Sequence, residues 1–401
     1  MSTQNLKLWL ICLILSVSAN TSFAQSGKIG NALSFVTKDS AFSVNFRFRM
    51  QNRAAMLTNS AEDWSASEWE FRVRRLRLRL DGFVVNPKLT YYIQLSFSRG
   101  DMDFSAADNS KYNVSPNVVR DAMIFYKPNH HFTLGFGQGK LPGNRQRVIS
   151  SGEQQFTDRS IVNNTFTLDR DFGFFGIYEG KMGKTPVFLL KGAVSSGKGR
   201  MNVVSNNAGL CYTGRLEFLP LGKFTNRGDY FEGDLEREPR PKIALAAGFG
   251  LNTDAVRAGG QLGKDLPHAY DMSTFIADGV LKYKGVALSC EYLKRTSRDQ
   301  PVLRASDAVN YIYVGHGLNA QLSYCFKSRW EIATRFAQIV PDAEVSQKTP
   351  QENNYTFGLS KYLNHHRVKT QWNLTYIAQK DLVTTAQKKR FYTAFQVELG
   401  I

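Results

Sequence analysis

Between Glu68 and Ser98 the chain reads EWEFRVRRLRLRLDG, a short break at FVVNPK, and then LTYYIQLSFS. Trp69, Phe71 and Val73 fall on odd positions, whereas Leu76, Leu78 and Leu80 fall on even ones. A β-strand sends successive side chains to opposite faces, so both halves alternate like strands with one apolar and one polar face, but in different registers. Run straight through, the strand would place Arg75, Arg77 and Arg79 beside Trp69, Phe71 and Val73. If that face met lipid, each arginine near the midplane would cost about 2–4 kcal/mol. One extra residue at Arg74-Arg75, a β-bulge, removes the conflict by shifting the register. The following segment alternates without a break, with Leu89, Tyr91, Ile93, Leu95 and Phe97 opposite Thr90, Tyr92, Gln94, Ser96 and Ser98. Two neighbouring strands of this kind point to the wall of a transmembrane barrel with a cationic lumen. The competing reading is a charged edge strand of a soluble sandwich.

The rest of the chain favours the barrel. Lys7, the apolar run Leu8 to Val17, and Ser22-Phe23-Ala24 form a secretory signal over residues 1–24. No later stretch approaches the ~20 consecutive apolar residues of a spanning helix. The expected organisation is therefore a signal peptide, a periplasmic lead over residues 25–41 and a barrel over residues 42–401. Alternating segments recur throughout, from Phe42 to Gln51 through RDAMIFYK, DFGFFGIYEG, VALSCEYLKR and VKTQWNLTYIA to the closing RFYTAFQVELGI. They total roughly sixteen, an even number in the range of single-chain outer-membrane barrels. In RDAMIFYK the outward residues are taken as Ala122, Ile124 and Tyr126, with Asp121 inward. The connections KPNHH, KMGKT, YKG, FKSRW and YLNHHR are short, and those between them are long and polar. Short turns on one rim and long loops on the other is barrel topology. One segment breaks the rule: Pro220 to Pro241 is long, yet falls on the short-turn rim.

Composition agrees where it discriminates. The 401 residues carry 51 Lys+Arg against 34 Asp+Glu, a formal net charge of +17. Aromatic residues, at 12%, suit interfacial girdles. A nucleic-acid binder would account for the charge but not for the signal or the repeated apolar face. Of four cysteines, Cys12 leaves with the signal, and Cys211, Cys290 and Cys325 match no disulfide framework or metal motif. No GxSxG occurs, and the pairs His130-His131 and His365-His366 fall in expected turns, so neither catalysis nor a metal or other cofactor is expected.

Basic groups on an inward face concentrate anions, and the guanidinium fork suits oxyanions because it donates two hydrogen bonds at once. The lumen-lining candidates are Arg47, Arg49, Arg72, Arg77 and Arg79, with Lys191, Arg215, Arg335 and Lys369 elsewhere on the wall. Asp81, Glu179, Glu217 and Glu331 are also placed inward, so a share of the arginines is assigned to structural bridges. Residues 141–169 match neither period and carry Arg145, Arg147 and Arg159, flanked by Lys140 and Arg170. Loops of ~30 residues without regular structure are uncommon and usually functional. This one either folds into the lumen and narrows it or lies on the surface.

The chain also resembles the phosphate-selective porins O and P. The resemblance is carried by Arg74-Arg75-x-Arg77-Leu78 followed by a glycine, Arg120-Asp121-Ala122, Gly137-Gln138-x-Lys140-x-Pro142, Ser150-Ser151, Phe156-x-Asp158-Arg159-Ser160 and Arg170-Asp171-x-Gly173. The strand Tyr355 to Tyr362, followed by Asn364-His365-x-Arg367-Val368-Lys369, looks similar too. The resemblance implies an all-β, sixteen-stranded transmembrane antiparallel barrel that trimerises in the outer membrane of a Gram-negative bacterium. It further implies an inward-folded third extracellular loop, with Lys140, Arg145, Arg147, Arg159 and Arg170 at or near the constriction. The expected partners are outer-membrane lipid, small inorganic anions such as phosphate and further copies of the chain. The alternatives are a barrel for hydrophobic or neutral solutes and a surface barrel without a transport role.

Overall fold

The computed structural model describes residues 33–98, 118–200, 208–299 and 311–401. The expected signal peptide lies outside these residues. A short strand, β1 (Leu33–Val36), comes from the lead segment, and sixteen longer strands follow it. The first eight are β2 (Ser43–Thr58), β3 (Ala66–Val84), β4 (Asn86–Ser96), β5 (Val119–Tyr126), β6 (Phe132–Lys140), β7 (Arg170–Lys181), β8 (Val187–Ser195) and β9 (Cys211–Leu219). The second eight are β10 (Lys242–Arg257), β11 (Asp265–Tyr283), β12 (Val286–Ser297), β13 (Gly315–Cys325), β14 (Trp330–Pro341), β15 (Gln351–Asn364), β16 (Val368–Lys380) and β17 (Gln387–Gly400). Each pairs antiparallel with its sequence neighbour, and β17 pairs with β2 from Tyr392↔Leu57 to Gly400↔Arg49. The sheet is thereby a closed cylinder, the one form in which strands cross lipid without leaving backbone groups unpaired. The extra strand β1 pairs with β2 at Leu33↔Phe46 to Val36↔Ser43, just beyond the end of β17.

The bulge expected in β3 is present. Gln51 opposes Arg75 and Asn52 opposes Val73, so Arg74 between them has no partner across the pair. With that shift, Arg53, Gln51, Arg49, Arg47 and Asn45 of β2 face Arg72, Arg75, Arg77, Arg79 and Asp81 of β3, all on the inner side. Trp69 and Phe71, at 63% and 74% exposed, stand on the outer side. The face assignment of β5 also holds: Ile124 and Tyr126 are exposed, whereas Asp121 and Met123 are buried. Met123 and Phe125 point inward because β6 offers glycines there. A Cβ on Gly139 would lie 2.8 Å from the Met123 sulfur, and one on Gly135 2.9 Å from the Phe125 ring.

Residues 141–169 form the third long connection, between β6 and β7, and contain two short helices, α1 (Arg145–Val148) and α2 (Ile161–Phe166). The apolar core lies here rather than between sheets. Leu141, Val162, Phe166 and Leu168 of this loop pack with inward wall residues such as Ala193, Ile276, Leu293 and Ile339. Glycines on the wall again make the room. Gly250 receives Leu168, Gly317 receives Val162 and Gly358 receives Phe156, each with the side chain under 3.0 Å from where a Cβ would sit.

Residues 220–241 do connect two adjacent strands on the short-turn rim, as the strand count required. Phe218 of β9 pairs with Leu245 of β10.

Candidate functional site: a loop-crossed bore

The third loop is tied to inner-face residues around most of the cylinder. On one side Arg49 and Arg77 donate to the Ser151 hydroxyl at 2.7 and 2.9 Å. Arg53 meets Asp158 at 2.5 Å, Arg74 reaches the same carboxylate at 3.2 Å, and the Arg53 guanidinium also donates to the Thr157 carbonyl. On the opposite side, half the strands away, Arg145 pairs with Asp278 at 3.0 Å and Arg215 donates to the Gly143 carbonyl. Gln146 donates its backbone N–H to Glu291 at 2.7 Å, and Arg295 donates to the Thr165 carbonyl at 2.9 Å. Along the remaining wall, the Lys369 ammonium donates to the carbonyls of Gly152 and Gln154, and Arg335 to that of Asp158. A segment bonded at once to β2, β3, β9, β11, β12, β14 and β16 crosses the bore.

Charge along this crossing is uneven. Lys140, Arg147, Arg159 and Arg170 gather on the β5–β7 side, with Arg120 and Arg200 within electrostatic reach of Arg147. Six basic side chains thus share a region with the carboxylates of Asp121, bonded to Arg170 at 2.8 Å, of Asp169, paired with Arg147 and Arg170, and of Glu232, whose charge reaches Arg159. Lys140 donates to the carbonyls of Val148 and Ile149, and Arg159 to those of Gln146 and Ile149, so both cations also shape the loop. Arg145 stands apart. It belongs to a group with Arg215, Lys191, Asp278, Glu217 and, within electrostatic reach, Asp229, in which Arg215 meets Asp278 at 2.6 Å and Glu217 at 2.6 Å. Across the bore, the loop residue Asp158 feels burial, which alone would raise its pKa. The guanidiniums of Arg53 and Arg74 outweigh that and hold the carboxyl well below its usual range.

Below the loop, Arg47, Arg49, Arg77 and Arg79 line a cavity of about 590 Å³ that opens toward the short-turn rim. Arg79 pairs with Asp81 at 2.7 Å, Arg49 approaches Glu398 at 3.6 Å, and Arg47 lies 3.9 Å from Asp81. Higher up, Arg72 pairs with Glu70 at 2.8 Å. A charged, water-accessible column inside an apolar wall is the arrangement of a diffusion channel.

Residues 44–222 match the family model of phosphate-selective porins O and P. Solved structures agree on the fold. The outer membrane channel DcaP of Acinetobacter baumannii superposes with a TM-score of 0.56 at 10% identity, covering 92% of this chain and 99% of that one. An anion-selective porin from Comamonas acidovorans gives 0.56 at 11% identity, with 90% and 100% covered. OmpT of Vibrio cholerae in its trimer form gives 0.54 at 10% identity, again with 90% and 100% covered. No curated protein matches the chain. The chain therefore has the fold of an outer-membrane porin barrel, and that fold together with the family match over residues 44–222 points to a channel rather than an enzyme.

Of the ten expected site residues, the porin barrel brings Lys140, Arg147, Arg159 and Arg170 into one cluster. It places Arg47, Arg49, Arg72, Arg77 and Arg79 on one inner column, and sends Arg145 to the far wall. Arg53, Arg120 and Arg200 are additional basic residues that sequence reasoning left out of the site. Arg53 continues the alternation of Arg47 and Arg49 two residues beyond Gln51, so extending that segment would have found it.

Proposed function

We propose that the porin is a passive, anion-selective diffusion channel for small oxyanions, with phosphate the first candidate. The observation that carries this reading is the gathering of basic side chains at the loop crossing. Lys140, Arg147, Arg159, Arg170, Arg120 and Arg200 share a region with Asp121, Asp169 and Glu232 in a bore of low-dielectric walls. Such a field raises the local concentration of anions and repels cations. The arginine column below the crossing supplies further weak sites, and conduction requires sites that attract but also release. The family model that matches residues 44–222 is described as phosphate-selective, and one structural neighbour is an anion-selective porin, which supports the same direction. A trimer fits the trimeric form of the OmpT neighbour, and mass measurement of the detergent-solubilised protein is expected to give three chains per particle.

The test is electrical. The purified protein in a planar bilayer under a KCl gradient is expected to give a reversal potential of the sign set by chloride, and added phosphate is expected to depress the chloride current over a concentration series. A reversal potential near zero or of the potassium sign would replace the reading with a channel for neutral or cationic solutes. Anion preference without phosphate inhibition would leave general anion selectivity and remove phosphate.

A further inference from the structure

Nothing about joining β9 to β10 calls for residues 220–241. The two strands lie side by side, with Phe218 opposite Leu245, and two to five residues commonly close such a hairpin. The neighbouring connection on the same rim, from β11 to β12, uses only Lys284 and Gly285. The long connection instead runs into the mouth of the bore. The buried Lys282 ammonium donates to the carbonyls of Gly228 and Phe231 at 2.7 and 2.8 Å, and to that of Gly233. The Tyr230 hydroxyl donates to Glu217 at 2.5 Å, and Asp234 accepts from the Gly285 N–H at 2.7 Å. Farther out, the Phe231 ring stacks at 5.7 Å on His366, in the turn between β15 and β16. The insert therefore reaches from the β9–β12 wall to the β15–β16 corner.

There it meets the third loop through the Asp229 carbonyl, which accepts from Arg145 at 3.3 Å, and most extensively through Glu232. Glu232 donates its N–H to the Glu153 carbonyl at 2.8 Å, and its carboxylate accepts from the Gln155 N–H at 3.0 Å and from the Gln146 side chain at 3.2 Å. Its remaining reach, to the Gln321 side chain on the wall, is 3.5 Å. Buried and bonded to two stretches of the loop, this carboxylate fastens the loop from below. We infer that residues 220–241 form a second constriction element entering from the periplasmic rim, and that Glu232 is the positioning residue through which it fixes the third loop and sets the size limit of the pore. The inference rests on the channel reading above, but concerns pore size rather than charge preference.

The experiment is liposome swelling with neutral sugars of increasing size, using folded full-length protein checked by its heat-modifiable gel mobility. Replacing residues 222–240 by a short Gly-Ser turn is expected to admit oligosaccharides that the native pore excludes and to raise swelling rates several-fold. Glu232→Ala is expected to shift the limit in the same direction. Glu232→Gln loses the same charge but keeps one acceptor and is expected to shift it much less. If the short-turn variant does not fold, the two point variants decide. An unchanged size limit in the variants, or equal effects of Ala and Gln, would overturn the inference while leaving a conducting native channel intact. A native protein that passes no small solute would instead overturn the channel reading itself.

Discussion

Arg145 and Lys140 lie five residues apart and answer to different physics. Arg145 is almost fully buried, with Asp278 as its ion partner and the Asp229 carbonyl as a second acceptor. Removing it leaves Asp278 to Arg215 alone, so Arg145→Ala is expected to cost about 1.5–3 kcal/mol, the range for a hydrogen bond to a charged group. Urea unfolding of the reconstituted barrel measures that loss, and the reversal potential is expected to stay close to native. Lys140 and Arg159 sit in the cluster of basic groups and donate to loop carbonyls rather than to carboxylates. Neutralising both, as Lys140→Met with Arg159→Gln, is expected to move the reversal potential toward zero. An unmoved potential would take these two residues out of the selectivity mechanism. A sequence read by charge alone treats Arg145 and Arg147 as equals. Whether a cation is spent on a partner depends on Asp278, 133 residues away in the chain, and that pairing leaves no local signal.

At the scale of elements, the bulge in β3 was legible because a change of parity in apolar residues has one economical explanation. It yields a sharp test. Deleting Arg74, the residue skipped by the register at the bulge, restores a single unbroken alternation from Trp69 to Leu80. The variant is therefore expected to fold with native heat-modifiable mobility, losing only the Arg74–Asp158 contact at 3.2 Å. Leu78→Arg, by contrast, places a charge on the lipid side and is expected to lower stability by about 2–4 kcal/mol if it sits near the midplane. Failure of the deletion variant to fold beside a tolerated Leu78→Arg would reverse the assignment of faces. The third loop was legible only as an irregular, basic stretch. Its two helices are a single turn or little more, too short to imprint a period, and what holds it is a set of wall residues scattered from Arg49 to Lys369. The insert at 220–241 stood out by length on the wrong rim, while its course into the bore depends on Lys282 and Glu217, which look like ordinary wall charges in the sequence.

For the whole molecule, sixteen strands could be counted because each repeats the same two-sided pattern, and closure could be expected because alternation continues into the final segment. The filling of the cylinder could not. Glycines at 250, 317 and 358 read as gaps in the alternation, and only the structure shows that each gap accepts a side chain of the third loop. Closure itself sets an order of events. The seam between β17 and β2 joins residues more than three hundred positions apart, Gly400 with Arg49 and Tyr392 with Leu57. Until β17 is in hand, β2 offers a bare row of amides and carbonyls to a solvent that cannot satisfy them. In lipid, then, the edge of β2 stays unsatisfied until the last strand made reaches it, so the first strand of the cylinder is the last to be sealed.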